Sequence, residues 1–248
     1  MLTQTITKLV TSMLAGEENS LARLISLAEN DSPDLPEIIE MLRPHLGKAY
    51  CVGVTGPPGV GKSTLIDKLT TVIRNKGLRV GIIAVDPSSP ISGGAVLGDR
   101  IRISPHYLDE GVFIRSMATR GSQGGLSKAV APTVSLLDAF GKDIIIVETT
   151  GVGQTDLAIK EIADFVVLVL IPGFGDAIQL MKAGLIEIAD IIVVNKADQE
   201  GAERLVTELK ATLSPNRREF EPSIVATQAI NGMGVEELYQ AIEERRQK

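Results

Sequence analysis

The stretch that decides the fold is Gly56-Pro57-Pro58-Gly59-Val60-Gly61-Lys62-Ser63-Thr64. It matches the phosphate-loop pattern G-x-x-x-x-G-K-[ST], and it lies between a predicted strand, Tyr50–Thr55, and a predicted helix, Lys62–Lys76. Backbone N–H groups of a glycine-rich loop, backed by the positive end of a helix dipole, hold the charges of a phosphate chain. This stretch is therefore predicted to bind the phosphates of a nucleotide.

Lys62 and Ser63 are the charged and metal-ligating residues of the loop. Lys62 is predicted to reach the β- and γ-phosphates, and the Ser63 hydroxyl to ligate a Mg²⁺ ion that bridges the same oxygens. Acids at the carboxyl ends of neighbouring strands would supply further oxygen ligands, because ligands of open α/β sheets bind in that crevice. Three acids qualify, namely Asp86, Asp99 and Glu148, although such acids also cap helices or stay solvated. Lys62 and Glu148 are the candidate catalytic residues.

Short apolar runs alternate with helical patterns from Tyr50 onward. This alternation predicts an α/β fold with a mostly parallel central sheet flanked by helices. Residues 1–47 carry apolar positions at helical spacing and predict an N-terminal α-helical extension to a domain over residues 48–248. The predicted strands are Tyr50–Thr55, Arg79–Val85, Val112–Ser116, Asp143–Glu148, Asp164–Ile171, Asp190–Asn195 and Ser223–Ala226. The further predicted helices are Leu126–Phe140, Ala177–Ile188, Gly201–Leu213 and Val235–Arg246.

The motif Asn195-Lys196-Ala197-Asp198 follows another apolar strand, so it is expected at the same edge of the sheet as the phosphate loop. Asp198 can accept hydrogen bonds from the N1–H and the exocyclic amine of guanine, whereas adenine offers no such donors there. Asn195 is expected to brace the loop, and Lys196 to lay its aliphatic stem along the base. Thr227-Gln228-Ala229, after the last strand, is expected to offer a backbone donor to the guanine carbonyl.

A switch segment is indicated by Glu148-Thr149-Thr150-Gly151-Val152-Gly153-Gln154, which follows the predicted metal-binding strand. The N–H of Gly151 is expected to bond the γ-phosphate, so that hydrolysis would release the segment. Gln154 is a candidate to orient the attacking water, although a solvated loop glutamine fits its position as well. The pattern identifies no arginine finger.

The composition excludes several classes of function. Lys and Arg number 25 against 31 Asp and Glu, so the net charge of −6 opposes binding to nucleic acid or to an anionic membrane. The single cysteine, Cys51, favours a reducing compartment, and we expect a cytoplasmic protein. With only two histidines, His45 and His106, a zinc or nickel site within one chain is not expected.

These features together resemble the MeaB/ArgK family of P-loop GTPases, from the N-terminal helices through the last strand. The resemblance is carried above all by the switch segment 148–154 and by Asp86-Pro87-Ser88-Ser89-Pro90-Ile91-Ser92-Gly93-Gly94-Ala95-Val96-Leu97-Gly98-Asp99-Arg100. It implies a P-loop NTPase fold of the SIMIBI type. It maps the magnesium ligands of the family onto Asp86 and Asp99, its metal-strand glutamate onto Glu148, and its base motif onto Asn195, Lys196 and Asp198.

Members of the family, including the methylmalonic aciduria type A protein, are GTPase chaperones of adenosylcobalamin-dependent acyl-CoA mutases. The resemblance implies that this chain uses Mg²⁺ and GTP to gate cofactor loading, and to protect or reactivate a methylmalonyl-CoA or isobutyryl-CoA mutase. Adenosylcobalamin would be reached only through that mutase, and the nucleotide state would be read by the mutase or by its adenosyltransferase. A homodimer is also implied, although many members carry a dimerisation extension beyond the position of Lys248. A further family switch resembles Pro172–Lys182, with Asp176, Gln179 and Lys182 as candidate coupling residues.

Three alternatives stay open on the sequence alone. A nickel-insertion GTPase of the HypB or UreG kind shares the phosphate loop and the guanine motif, but it needs Cys and His ligands. A P-loop small-molecule kinase would transfer the phosphoryl group to an acceptor other than water. A binding module would hold nucleotide without hydrolysing it.

Overall fold

The structure, a computed structural model, describes residues 4–86, 106–119, 126–151, 154–173, 184–213 and 222–247. The described strands are β1 (Tyr50–Thr55), β2 (Val80–Asp86), β3 (Val112–Ala118), β4 (Ile144–Glu148), β5 (Phe165–Leu170), β6 (Ile191–Val194) and β7 (Ser223–Ala226). The described α-helices are α1 (Gln4–Leu14), α2 (Glu18–Glu29), α3 (Leu35–Leu42), α4 (Lys62–Asn75), α5 (Val130–Ala139), α6 (Leu185–Ile188), α7 (Ala202–Thr212) and α8 (Val235–Arg246).

The seven described strands form one sheet in the order β3-β2-β4-β1-β5-β6-β7, and every pairing is parallel. The predicted α/β fold with a parallel sheet is therefore confirmed. Five strands are almost entirely buried, as expected of strands covered by helices on both faces. Since β1 lies in the middle, the chain leaves it towards β2 on one side and reaches β5 on the other. The carboxyl end of β1 is therefore at the switch point where ligands of such sheets bind.

Two predicted helices differ from the structure in extent. Leu126–Phe140 is helical only from Val130, because Pro132 has no N–H to donate and fits the first turn of a helix. Ala177–Ile188 cannot be one helix, because Gly184 has a left-handed backbone (φ 75°) and directly precedes the short helix α6. Residues 177–183 of that prediction lie outside the described residues.

The helices cover the two faces of the sheet with separate hydrophobic cores. One core joins α1, α2 and α3 to α5 and to one side of β2 and β4. The other face packs α4 and α8 on the alternate side chains of β1, β2 and β4. On the first face, α6 and α7 cover two further strands of the sheet, β5 and β6, through side chains such as Leu168 and Ile192. The helix that follows the phosphate loop is thus anchored along its length on the central strands.

The linker between the N-terminal helices and β1 is held by one carboxylate. Asp138 in α5 is buried, and it accepts the N–H groups of Gly47, Lys48 and Ala49 at 2.5, 3.1 and 2.8 Å. The chain therefore enters the sheet at a fixed point. The division of the chain at residue 47 into an extension and a domain stays a prediction.

None of the helices within the described ranges is both long and apolar enough to cross a lipid bilayer.

Lys142 is a buried cation at the opposite end of the sheet from the phosphate loop. Its Nζ donates to the Gly111 carbonyl at 3.1 Å and lies 5.6 Å from the centre of the Phe140 ring. Burial, with the positive charge of Arg79 as a further cause, lowers the pKa of Lys142 to about 8. The folded protein therefore loses this proton at a lower pH than the unfolded chain.

We predict that Lys142 makes the free energy of unfolding increase with pH above about 8. Between pH 8 and the ordinary lysine pKa of about 10.4, the unfolded chain binds more protons than the native state, so the free energy of unfolding increases with pH. Relative to a Lys142→Met variant, the native protein should gain about 2 kcal/mol between pH 8 and pH 10. Guanidinium denaturation of both proteins at the two pH values measures this difference. Lys210→Met, which removes an exposed lysine, is the control and should change with pH as the native protein does. The same pH dependence in Lys142→Met and the native protein would contradict the prediction.

Candidate functional site

The loop between β1 and α4 depends on glycine for its shape. Gly61 precedes α4 with a left-handed backbone (φ 95°), and its carbonyl accepts the Leu65 N–H at 2.9 Å. A Cβ at this position would lie 2.5 Å from Nδ2 of Asn195, so a larger residue would separate the two loops. The first turn of α4 leaves backbone N–H groups without intrahelical partners, which is the arrangement that binds anions.

The Lys62 side chain is folded over this loop. Lys62 is buried, and its Nζ donates to the carbonyls of Gly56 at 2.8 Å and Pro57 at 3.2 Å. The ammonium group is therefore held against the loop backbone by its own hydrogen bonds. An anion in the loop would meet a positive charge that is already in place.

Ser63, Glu148 and Asp86 all lie at the carboxyl edge of the sheet. The Ser63 hydroxyl donates to Oε1 of Glu148 at 2.9 Å, and all three residues are buried. Glu148 pairs in register with Val54 of β1 and Ala84 of β2. Asp86 lies two residues beyond Ala84, so it ends the neighbouring strand at the same edge.

The chemistry of this donor set fits a magnesium ion. One hydroxyl and two carboxylates are hard oxygen donors, and Mg²⁺ is commonly held by one or two such groups with water and phosphate oxygens. In contrast, the described part of the chain contains no group of three or more His, Cys, Asp or Glu residues that could hold a metal by themselves. The site is therefore suited to a metal that arrives with phosphate.

Gly151 lies directly against the phosphate loop. With a left-handed backbone (φ 78°), it approaches so closely that a Cβ would lie 2.1 Å from the Gly56 carbonyl oxygen and 2.7 Å from Nζ of Lys62. Just before it, the Thr149 hydroxyl donates to the Thr55 hydroxyl at 3.0 Å. The segment after β4 and the loop after β1 are thus in contact at the predicted switch glycine.

Several predicted residues fall outside this site as the structure describes it. Asp99, Asp176, Gln179 and Lys182 lie outside the described residues, as does the stretch 87–100. The backbone of Gln154 begins a 3₁₀-helix, Gln154–Glu161. Its assignment to the attacking water stays a prediction.

Asn195 connects the base motif to the phosphate loop. Its Nδ2 donates to the Val60 carbonyl at 2.8 Å, and its Oδ1 accepts the Thr227 hydroxyl and the Ala229 N–H, each at 3.0 Å. Asn195 is also buried. Asn195 therefore connects three separate segments of the chain, which supports the expected bracing role.

Next to Asn195 is an open cavity of about 270 Å³. The described residues that line it come from the phosphate loop, the base motif and the turn after β7; they are Gly61, Thr64, Asn195, Lys196, Asp198, Gln199, Gln228, Ala229 and Ile230. The structure thus brings together the phosphate-loop and base-motif residues that were predicted to share one edge of the sheet.

Lys196 and Asp198 border this cavity in different ways. Lys196 has a left-handed backbone (φ 55°), and its Nζ donates to the Gly59 carbonyl at 3.2 Å. Asp198 is exposed. The turn that carries both residues is fixed to the end of β7, because the Ala197 N–H donates to the Thr227 carbonyl at 3.0 Å.

The expected backbone donor after β7 is used within the protein. The N–H groups of Thr227, Gln228 and Ala229 donate to the Val194 carbonyl, the Met233 carbonyl and the Asn195 side chain. The prediction of an available donor therefore does not describe this structure. A guanine carbonyl would have to compete with the Asn195 carboxamide for the Ala229 proton.

Two lining residues, Gln199 and Ile230, were not predicted from the sequence. Gln199 directly follows the base motif, and Ile230 is, with Met233, one of two large apolar residues in the turn 227–234. An apolar residue in such a turn is the signal that could have indicated Ile230.

A larger cavity, of about 750 Å³, lies elsewhere, between α1, α2 and Arg115 of β3. Its described lining residues contain neither part of the phosphate loop nor part of the base motif. Because the phosphate loop, the acids and the base motif converge around the smaller cavity, we take the smaller one as the functional site.

Comparison with protein families matches residues 21–248 to a family described as "Methylmalonyl Co-A mutase-associated GTPase MeaB". The GTPase ArgK of Escherichia coli is 34% identical over 248 residues, covering 96% of this chain and 75% of that protein. A Pyrococcus horikoshii protein that also carries a GTPase name is 52% identical over 248 residues, covering 98% of this chain and 78% of its own length.

Two solved structures share the fold. The crystal structure of an LAO/AO transport system kinase matches with a TM-score of 0.76 and 27% identity, covering all of this chain and 77% of that one. HypB from Helicobacter pylori, solved with nickel, matches with a TM-score of 0.60 and 18% identity, covering 86% of this chain and 94% of that one. At this identity, the HypB match concerns the fold alone.

We predict that Asn195→Ala destabilises the protein by about 2–4 kcal/mol, because it leaves buried groups of Val60, Thr227 and Ala229 without their hydrogen-bond partner. Guanidinium denaturation of the protein without added nucleotide measures the loss. Asn231→Ala is the matched control, since Asn231 is exposed and its side chain donates one hydrogen bond, at 3.3 Å. A loss no larger than that of the control would show that the Asn195 bridge does not stabilise the site.

Proposed function

The chain belongs to the MeaB family of methylmalonyl-CoA mutase-associated GTPases, and we propose that it binds GTP with Mg²⁺ at the edge of the sheet and hydrolyses it to GDP and phosphate. The resemblance seen in the sequence is thereby confirmed. The observation that carries the proposed site is the Asn195 bridge. Because the Asn195 side chain holds the phosphate loop next to the base motif that contains Asp198, a single crevice would hold both ends of one nucleotide.

The phosphate chain would lie in the loop Gly56–Thr64. Its oxygens would accept N–H groups of the loop and of the first turn of α4, while the Lys62 ammonium exchanges the Gly56 and Pro57 carbonyls for phosphate oxygens. Lys62 would then neutralise the charge that spreads over the transferred γ-phosphoryl group. Gly151, in contact with Lys62 and the loop, would donate its N–H to the same group.

Ser63, Asp86 and Glu148 would hold the magnesium ion, with Asp99 as a further proposed ligand. The ion would supply positive charge that offsets the negative charge of the phosphate chain. Glu148 accepts the Ser63 O–H, and this hydrogen bond fixes the direction of the hydroxyl oxygen. Glu148 therefore acts both as a carboxylate of the site and as the group that orients Ser63.

The base would occupy the cavity of about 270 Å³ beside Asp198. The Asp198 carboxylate would accept hydrogen bonds from N1–H and the exocyclic amine of guanine. Lys196 would pack its aliphatic stem on the base. Gln228 and Ala229 would border the base with their amides still bonded to Met233 and Asn195. This arrangement selects guanine over adenine.

Hydrolysis by the chain alone should be slow. Among the described arginines, Arg115 pairs with Glu29 and Ser26 of α2, which engages its guanidinium group away from the phosphate loop. Gln154 is a candidate to orient the attacking water. We infer that a partner or a second copy of the chain completes the site.

The proposed partner is an adenosylcobalamin-dependent acyl-CoA mutase of the methylmalonyl-CoA or isobutyryl-CoA type, together with its adenosyltransferase. The family description, which names the mutase, supports this proposal. The nucleotide state would gate cofactor loading and protect or reactivate the mutase, with Asp176, Gln179 and Lys182 as the coupling residues. We further propose a homodimer in the cytoplasm, where the single cysteine stays reduced.

The alternatives are less well supported. A nickel-insertion role like that of HypB would require Cys and His ligands, and the residues that the structure covers include no such group. A small-molecule kinase is suggested by the name of the LAO/AO transport system kinase, but transfer to an acceptor does not require the guanine motif. Product analysis with GTP in water distinguishes hydrolysis from such transfer, and it also distinguishes a module that binds without turnover.

We predict that Asp198→Asn weakens GTP binding at least 100-fold and tightens binding of xanthosine triphosphate. The asparagine amide can donate to the extra carbonyl of xanthine, whereas it cannot accept both guanine donors. Calorimetry with the two nucleotides and Mg²⁺ measures the change. Glu200→Gln, which removes an exposed negative charge two residues away, is the control and should keep guanine selectivity. Retained selectivity in Asp198→Asn would contradict the assigned base contact.

We predict that a purified adenosylcobalamin-dependent methylmalonyl-CoA mutase raises the GTP hydrolysis rate of this chain at least several-fold, because the partner completes a site that the chain alone leaves incomplete. Phosphate release with and without the mutase is the measurement, and Lys62→Ala with the mutase controls for contaminating activity. An unchanged rate, tested also with an isobutyryl-CoA mutase, would refute the partner and leave the GTPase assignment standing.

A further inference from the structure

Ile230 is a large apolar side chain on the surface of the protein. It is 79% exposed, and it lines the cavity beside Asp198. The other described lining residues are polar, charged, glycine or alanine. We propose that Ile230 is the apolar wall of the base site, which packs against one face of the guanine ring; this inference rests on the proposed function.

The backbone that carries Ile230 is held on both sides. Ile230 is the middle residue of the 3₁₀-helix Ala229–Asn231, and the Ala229 N–H donates to Asn195. The Gln228 N–H donates to the Met233 carbonyl at 3.0 Å, which closes the turn. The side chain is therefore presented to the cavity by a fixed turn, and the same Asn195 that contacts the phosphate loop sets its position.

The chemistry of a purine explains why such a wall is needed. Asp198 acts in the plane of the ring, on its hydrogen-bonding edge, so the two apolar faces of the ring must be covered by other groups. No aromatic residue is among the described lining residues, which leaves aliphatic groups as the available covers. The Lys196 stem offers one aliphatic surface, and Ile230 offers the other.

An aliphatic wall should contribute to affinity without contributing to selectivity. Contact with a ring face does not depend on the substituents at the hydrogen-bonding edge, so guanine, hypoxanthine and xanthine nucleotides should benefit alike. If the base covers on the order of 50 Å² of the Ile230 side chain, the contribution is about tenfold in affinity.

The test is nucleotide binding and turnover by Ile230→Ala. The dissociation constants of GDP and IDP should both rise about tenfold by calorimetry, and the ratio between them should stay the same. In hydrolysis, KM for GTP should rise while kcat stays within about twofold, because the reacting phosphate is untouched. Ile230→Leu, which keeps the apolar surface, should restore most of the affinity.

Met233→Ala is the matched control. Met233 is also apolar and exposed, at 58%, and lies in the same turn, but it is not among the described lining residues of the cavity. It should therefore leave nucleotide affinity unchanged. Equal affinity of Ile230→Ala and the native protein would overturn the inference, as would a loss that is the same in Met233→Ala or that accompanies a lower melting temperature. Absence of guanine-nucleotide binding by the native protein would instead refute the proposed function.

Discussion

One carboxamide fixes the distance between the two halves of the site. Asn195 donates to the phosphate loop at Val60 and accepts from Thr227 and Ala229 beyond the last strand. These segments are far apart in the sequence, and each is a turn at the end of a strand. Because the side chain is buried and uses both its oxygen and its nitrogen, a change in any one turn would leave a polar group unsatisfied. The spacing between the phosphate loop and the turn proposed to bind the base is therefore set by the protein itself.

The parallel sheet sets the other dimension of the site. Every described strand points its carboxyl end to the same edge, so residues that end neighbouring strands meet without any local contact in the sequence. Glu148 ends β4 level with Val54 of β1, and the helix after β1 brings Ser63 within hydrogen-bond distance of it. The grouping of the proposed magnesium donors is thus a direct result of strand register.

Strand positions and the grouping of the site could be predicted because they depend on local patterns and on sheet topology. The limits of β1 and β7 agree with the alternation of apolar runs, and Glu148 was expected near Ser63. Other features depend on partners that are distant in the sequence. The Ala229 amide is taken by Asn195, and burial of Lys142 against Gly111 follows from packing that no local pattern encodes.

The carboxylate of Asp138 has a consequence for how the molecule can be divided. It binds three successive amides just before β1, so the helices that precede the sheet are tied to α5 by this anchored linker as well as by their shared apolar core. The change near residue 47 is a change in secondary-structure class. It is a poor place to truncate the chain or to fuse it to another protein. A chain begun at residue 48 would lose the Gly47 hydrogen bond to Asp138, and it would expose to solvent the apolar face that α1, α2 and α3 cover.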